Sequence, residues 1–445
     1  MSQHMHLAID LSFTHTEGRW RAPGSWEGVD FPDLRMFREL AQMAERGGID
    51  LLFFGDGTGI PDTWQGSLDG AVEWGIQWPR QDMSPYIAAL AQCTTHVGFG
   101  LTYASTFMHP FYTARLLNSL QHVTGGRMAF NVVTSTRRAD AANYGFDELM
   151  DHDERYERME EFVAVCKALW ASVEPDAIIR DRATGRFADP SKVHVLDHKG
   201  THFSVKGPLS AVPSPYGDPL LVQAGGSPRG IRASASFADL VFGAAKSLPA
   251  MVEHRTQLDA AITELGRDPA DVGILWSTHV VVAETEREAK EKRDRLGEWL
   301  PRDAVGVYLS HNSGWDFSTL PERFVLADLA AEIAAANATQ AGFVQRLISE
   351  RGEDAEITRD EFFDYGWRKV TGEADAIAGT PAQVADRLEE AFEATGRRGG
   401  FMLSPGQVVP RSIADIVDLL VPELRRRGAV RSEYAGTTLR ENLCS

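Results

Sequence analysis

Leu220-Leu-Val-Gln-Ala-Gly-Gly-Ser-Pro-Arg-Gly-Ile-Arg-Ala-Ser-Ala-Ser-Phe-Ala-Asp-Leu-Val-Phe-Gly243 reads as strand, turn, helix and strand in one short stretch. Leu220–Ala224 is an apolar run of strand length, and Pro228 stands at the first position of a helix over Pro228–Phe237. Asp239–Gly243 is a second apolar run. A helix joining two such strands is the mark of a parallel βα unit. The same alternation runs outward in both directions. Further strands are expected at His6–Asp10, Asp50–Gly55, Val97–Thr102, Met128–Thr134, Ile274–Val282 and Gly400–Leu403. Further helices are expected at Leu34–Arg46, Pro110–His122 and Ile413–Arg426. Another begins near Asp153, where Phe162, Val165, Cys166, Leu169 and Trp170 recur at helical spacing behind the capping-box-like Asp151-His-Asp-Glu154. Eight strands is the number that closes a (β/α)8 TIM barrel, an α/β fold.

Two stretches break the rhythm. Val173–Gly217 is rich in Asp, Pro, Gly and Lys, and Glu284–Thr380 is long, Ala-rich and charged. Both are read as insertions in βα connections, where barrels carry their specificity elements. The 445 residues are then one barrel domain, although about 150 residues per domain would allow three. There is no internal repeat.

The chain is 43% hydrophobic and 24% charged, which excludes a disordered or fibrous protein. Its net charge of −18 argues against nucleic acid or an anionic membrane as the main partner, while a local basic pocket stays compatible with it. Cys93, Cys166 and Cys444 are too few and scattered for a disulfide framework or a CxxC metal site. No basic, then apolar, leader opens the sequence, and no run of about 18 apolar residues occurs. A cytoplasmic protein without a metal is expected.

In a barrel the active face lies at the C-terminal ends of the strands. Asp56, Thr102, Asn131 and the turn containing Gly226 and Ser227 all fall there. The residues of that turn leave two readings open. It is a phosphate site made of backbone N–H groups, Ser227 Oγ and Arg229, or an ordinary tight turn with a serine N-cap. His152 and Tyr156, four apart, share one helix face and either converge on a ligand or sit on a solvated helix end. Asp56, flanked by glycines, is a ligand acceptor or a turn aspartate. His15, His109 and His311 are the candidate bases, each open to a structural role. No HExxH, GxSxG, Walker A or strand-preceded GxGxxG signature appears, so zinc proteolysis, serine hydrolysis and P-loop or Rossmann binding lose their usual supports.

Gly125-Gly-Arg-Met-Ala-Phe-Asn-Val-Val-Thr-Ser135, Asn143-Tyr-Gly and His152-Asp-Glu-Arg-Tyr156 with Glu161-Phe and Leu169-Trp together resemble a known family. It is the nitrilotriacetate, dibenzothiophene-sulfone and pristinamycin monooxygenase branch of the bacterial luciferase-like flavin enzymes. Gly185-Arg-Phe, Lys192-Val-His, Gly200-Thr-His-Phe-Ser-Val-Lys-Gly-Pro208 and Gln223-Ala-Gly extend the resemblance, and so do Gly379-Thr-Pro-Ala-Gln-Val-Ala-Asp386, Val421-Pro-Glu-Leu424 and Gly436-Thr-Thr-Leu-Arg440. It runs nearly end to end. It implies a TIM barrel, reduced FMN (FMNH2) delivered by a separate NAD(P)H:flavin reductase, dioxygen as oxidant, and a homodimer or homotetramer. Carried over by motif, Asp56, Thr102, Asn131, His152, Tyr156 and Ser227 match flavin-binding positions. Two positions depart from the pattern, both on the expected substrate side: His109 in Ala104-Ser-Thr-Phe-Met-His-Pro110 replaces an acid, and Thr136-Arg-Arg138 follows Ser135 in place of a large residue. The segment Phe13-Thr-His-Thr-Glu-Gly-Arg-Trp-Arg-Ala-Pro23 keeps the family's Trp-Arg-x-Pro feature and puts His15 on that side.

The implied reaction is transfer of one oxygen atom from a flavin peroxide or hydroperoxide to a small organic substrate, in a site that excludes water. Trp64, Trp74 and Trp78 either cover that site or pack in a satellite core. The alternatives are a deazaflavin-dependent hydride-transfer oxidoreductase on the same barrel and a non-catalytic flavin-binding protein.

Overall fold

Eight parallel strands close on themselves in the computed structural model, which describes residues 4–12, 14–25, 31–135, 137–336, 342–405 and 409–444. They are β1 (His6–Asp10), β2 (Leu51–Phe54), β3 (Gly98–Ala104), β4 (Met128–Val133), β5 (Leu220–Ala224), β6 (Leu240–Gly243), β7 (Gly273–Val282) and β8 (Gly399–Pro405). Each pairs with the next, and β8 returns to β1 with Leu7 opposite Phe401. The helices outside are α1 (Leu34–Arg46), α2 (Ser84–Leu90), α3 (Pro110–Thr124), α4 (His152–Trp170), α5 (Pro228–Phe237), α6 (Leu248–Glu264) and α7 (Pro381–Ala394). A last helical run, α8, covers residues 410–426 in three pieces, Pro410–Asp415, Ile416–Leu420 and Val421–Arg426.

Alternation along the strands builds two cores. Ala8, Leu51, Phe53, Ala129, Val222 and Phe242 fill the barrel, with Phe53 and Phe242 in edge contact at 4.5 Å. Leu7, Ile9, Leu52 and Phe54 point the other way and pack on the helices. Burying a side chain of this size stabilises the fold by about 1.5–3 kcal/mol. Leu439 and Leu443, from the C-terminal helix Leu439–Cys444, join the inner cluster.

The helix starts are fixed by local chemistry. Asp33, Asp151, Ser227 and Thr380 each accept a backbone N–H in the first turn of α1, α4, α5 and α7, and Pro follows Ser227 and Thr380 directly.

The insertions differ from expectation in one respect. Residues 284–380 do lie between β7 and α7, a βα connection. Residues 173–217 instead follow α4 and precede β5, an αβ connection, because α4 comes directly after the β4 loop and the excursion starts only where that helix ends. This segment wraps the outside of α3 and α4. The Glu161 carboxylate accepts the N–H groups of His202 and Phe203, and Asn118 Nδ2 donates to the Val212 carbonyl.

The second insertion has its own core around Val305, Leu309, Phe317, Leu329 and Phe362, shared with Ala71 and Ile76 of the loop after β2. Its helix Asp303–Ser313 stands over that loop. Trp64 and Trp74 pack into this core, Trp64 against Phe363 at 5.9 Å, so these two tryptophans are satellite packing. No helix among the described residues is long and apolar enough to cross a membrane.

Candidate active site

A cavity of about 340 Å³ opens at the C-terminal ends of β2 to β5 and takes in Asp56, Thr102, Tyr156 and Gln223. Four strand ends and the start of α4 thus bring sequence-distant polar groups together, as a barrel mouth does.

Thr102 and Asn131 are register partners on β3 and β4. Asn131 Nδ2 donates to Thr102 Oγ1 at 3.0 Å, and Asn131 Oδ1 is buried with no partner among the described residues. A buried acceptor left open costs free energy unless a ligand donates to it. Asp56 accepts the Gly57 N–H at 2.8 Å. Burial pushes its carboxyl above the ordinary range, against the opposing effects of that N–H and of the Arg80 guanidinium.

Past the end of β5 stands the turn into α5. Ser227 Oγ accepts the Gly230 N–H at 3.1 Å and caps α5. A Cβ placed on Gly230 would lie 3.0 Å from Tyr156 Oη and 3.2 Å from Ser227 Oγ, so both hydroxyls meet at the first turn of α5. Tyr156 Oη has no hydrogen-bond partner among the described residues. Pro228 has no N–H and Gly230 gives its own to Ser227, so the first turn offers the Arg229 N–H beside the two hydroxyls and the positive helix end, a setting compatible with an anionic group. Gly226 has open space where a side chain would stand. The Arg229 side chain does not face this setting. Its guanidinium forms a fork with Glu160 at 2.7 and 3.1 Å and lies over the Tyr156 ring. His152 is half-exposed at the start of α4, its Nδ1 bonded to Asp153 Oδ1 at 2.7 Å and its ring 5.1 Å from Tyr156.

The three candidate bases are not brought to the cavity wall. His15 is stacked on Phe31 at 3.3 Å, and both its nitrogens are engaged, with Pro79 O at 2.7 Å and Thr14 Oγ1 at 3.1 Å. Burial lowers its pKa to about 4, so it is a neutral structural ring. His109 is exposed at the N-cap of α3, accepting the Phe111 N–H. His311, on the insertion helix, is buried, its Nε2 has no partner among the described residues, and burial and then the Arg137 and Arg80 guanidiniums lower its pKa to about 3. A ring so hard to protonate is a poor proton carrier near neutral pH. Phe13 and Thr136 lie outside the described residues.

Several cavity residues are not among the site candidates that the sequence singles out. Asp140 accepts Thr58 N at 2.9 Å, Gly59 N at 2.6 Å and Ser135 Oγ at 2.9 Å, tying the β2 loop to the β4 loop. Ser135 itself has φ 50°, a left-handed backbone that non-glycine residues adopt mainly where surrounding structure enforces it. Gln223, Arg137 and Tyr144 complete the wall. Ser135, Tyr144 and Gln223 stand within the motifs of the resemblance and Arg137 within the departure after Ser135, but their spacing does not assign them to one cavity.

A (β/α)8 barrel whose mouth carries an open polar edge at one end and converging hydroxyls at a helix N-terminus by the other has the outline of a ligand-binding enzyme barrel. The luciferase-like monooxygenase family model matches residues 8–399, and the chain belongs to this family. It is 36% identical to the dibenzothiophene-sulfone monooxygenase of Rhodococcus erythropolis (strain XP) over 99% of this chain and 96% of that one. It is also 36% identical to the N-acetyl-S-(2-succino)cysteine monooxygenase of Bacillus subtilis (strain 168), over 98% and 95%. Nitrilotriacetate monooxygenase component A of Aminobacter aminovorans is 33% identical over 96% and 93%. Among solved structures, DmoA from Hyphomicrobium sulfonivorans superposes with a TM-score of 0.87 at 32% identity, over 99% and 92% of the two chains. A riboflavin lyase holding modified FMN and riboflavin gives 0.87 at 29% identity, over 99% and 95%. The protein is a monooxygenase-family flavoprotein.

Proposed function

We propose that this protein is the oxygenating component of a two-component system, using FMN reduced by a separate NAD(P)H:flavin reductase. At the β5 end of the cavity, Tyr156 Oη, Ser227 Oγ and the Arg229 N–H at the start of α5 hold the phosphate, and Asn131 Oδ1 accepts a ring N–H, with Thr102 fixing its amide. Asp56 stands beside them at the end of β2. His152 supports Tyr156 from the solvent side. When bound, reduced FMN supplies two electrons to dioxygen, so that one oxygen atom enters a small organic substrate and the other leaves as water. The chain's part is to orient the ring, to keep Asp56 able to hold a proton, and to exclude water with the β2 loop that the insertion helix packs against. The protein works as a soluble cytoplasmic homo-oligomer in this reading.

The observation that carries the reading is that two cavity residues each adjoin an open polar group: Thr102 bonds Asn131, whose buried amide oxygen has no partner among the described residues, and the Tyr156 hydroxyl meets that of Ser227 at the start of α5. The family and the word "component" in the name of the nitrilotriacetate relative support it. Rapid mixing of the anaerobic complex of protein and reduced FMN with oxygenated buffer tests it. Reoxidation slowed at least about tenfold relative to free reduced FMN, as a water-excluding site demands, supports the proposal. Reoxidation at the free rate sinks it.

A further inference from the structure

The wall of the cavity at the β2 loop carries two guanidinium groups. A Cβ on Gly57 would collide with Arg137 Nη1 and stand 3.9 Å from Arg80 Nη1, so both cations lean on the same backbone. Arg137 lines the cavity, half-buried. The nearby carboxylates are committed elsewhere. Asp140 holds the two loops together, Asp82 accepts Tyr103 Oη at 2.8 Å and Ser84 N at 2.8 Å, and Glu17 accepts Gln77 N at 2.9 Å and pairs with Arg19 at 3.2 Å. Asp56 faces the cavity with a carboxyl that burial keeps easy to protonate. From the insertion helix, Tyr308 and His311 face the same cations and are held neutral, chiefly by burial. Among the described residues, Arg137 has no ion pair and no side-chain hydrogen bond.

A half-buried guanidinium without a counter-charge is costly, and its planar fork matches a carboxylate or sulfonate. In a chain of net charge −18 its isolation from acids is a specific feature of this wall. The neighbouring wall is apolar, with Phe107 and Tyr144 stacked at 5.0 Å and Met108 beside them. The proposed phosphate site is elsewhere, on the β5 turn, with β3 and β4 between it and the β2 loop.

We propose that Arg137, backed by Arg80, receives a carboxylate or sulfonate carried by the organic substrate, whose apolar body lies against Phe107, Met108 and Tyr144. This rests on the reading of the cavity as the oxygenation site.

Calorimetric titration of the FMN-loaded protein with benzoate, benzenesulfonate and the neutral isostere benzamide tests it. At least one anion binds about tenfold or more tighter than benzamide, the worth of one charge-assisted hydrogen bond. Arg137→Gln brings the anion down to the benzamide level while FMN affinity stays within about twofold, and Arg137→Lys keeps part of the preference. Three results overturn the proposal: equal binding of anion and amide, no anion binding up to about 10 mM, or an Arg137→Gln loss of FMN affinity as large as that of the anion. In the last case the guanidinium serves the flavin. A chain that binds no FMN defeats the function proposed above, and the same charge preference is then read on the unloaded protein.

Discussion

Removing the Tyr156 hydroxyl separates ligand binding from folding. The ring is packed under the Arg229 guanidinium, whose Cζ lies 5.1 Å from its centroid, and Tyr156→Phe preserves that packing. The hydroxyl bonds to no protein group among the described residues, so its removal orphans no partner and leaves the thermal midpoint of the free protein within about 1 °C. In the complex the same hydroxyl donates to a phosphate oxygen. A hydrogen bond to a charged group is worth about 1.5–3 kcal/mol, which is about a 10- to 150-fold rise in the dissociation constant of reduced FMN. Reduced riboflavin lacks the phosphate and is the internal control. Anaerobic titrations by tryptophan quenching are expected to show the loss for reduced FMN and not for reduced riboflavin. An equal loss for both, or none for either, refutes the placement of the phosphate at Tyr156 and Ser227.

Gly230→Ala places a methyl 3.0 and 3.2 Å from the same two hydroxyls. It is expected to weaken FMN at least about tenfold while sparing riboflavin, because crowding acts where the phosphate sits. Asn131→Ala removes the open acceptor and is expected to weaken FMN and riboflavin alike by about tenfold, measured by the same titration. Asp140→Ala leaves the Thr58 and Gly59 N–H groups unpaired and is expected to cost about 3 kcal/mol, read from denaturant unfolding. His15 and His279, with pKa lowered to about 4, and His311, to about 3, are each depressed mainly by burial. The unfolded chain therefore binds these protons first as pH falls. The stability they contribute is complete above about pH 6.5 and is lost between 6.5 and 4, by about 1 kcal/mol per pH unit for each ring. Urea midpoints measured across pH 7 to 4 check this, and a flat profile contradicts it.

Much of the barrel was legible because each unit writes its own boundaries. β1, β5, α1 and α5 have the bounds that apolar runs, Asp33, Ser227 and Pro228 imply, and the other strands differ by a residue or two at their ends. Asp56 and Thr102 were legible as site candidates for a related reason, since the barrel decides which strand ends face its mouth, and Tyr156 was legible from its helical spacing with His152. Local pattern carries no information about which loop reaches which. The position of residues 173–217 depends on where α4 ends, and the union of Asp140 with Thr58, Gly59 and Ser135 joins segments about eighty positions apart. The histidines show the same limit. His15 and His311 sit in loop or helix contexts suited to a base, and it is packing by Phe31 and by the insertion core that withdraws them from the solvent protons a base exchanges. Arg137 was visible as a departure, but its neighbours on Gly57 and Arg80 come from another strand end.

The central claim is that the cavity is built for reduced FMN. Its most direct test is an anaerobic titration of the purified protein with reduced FMN, oxidised FMN and a deazaflavin in parallel. The account predicts that reduced FMN binds at least about tenfold tighter than either of the others. Preference for the deazaflavin, or equal affinity for both oxidation states of FMN, contradicts it.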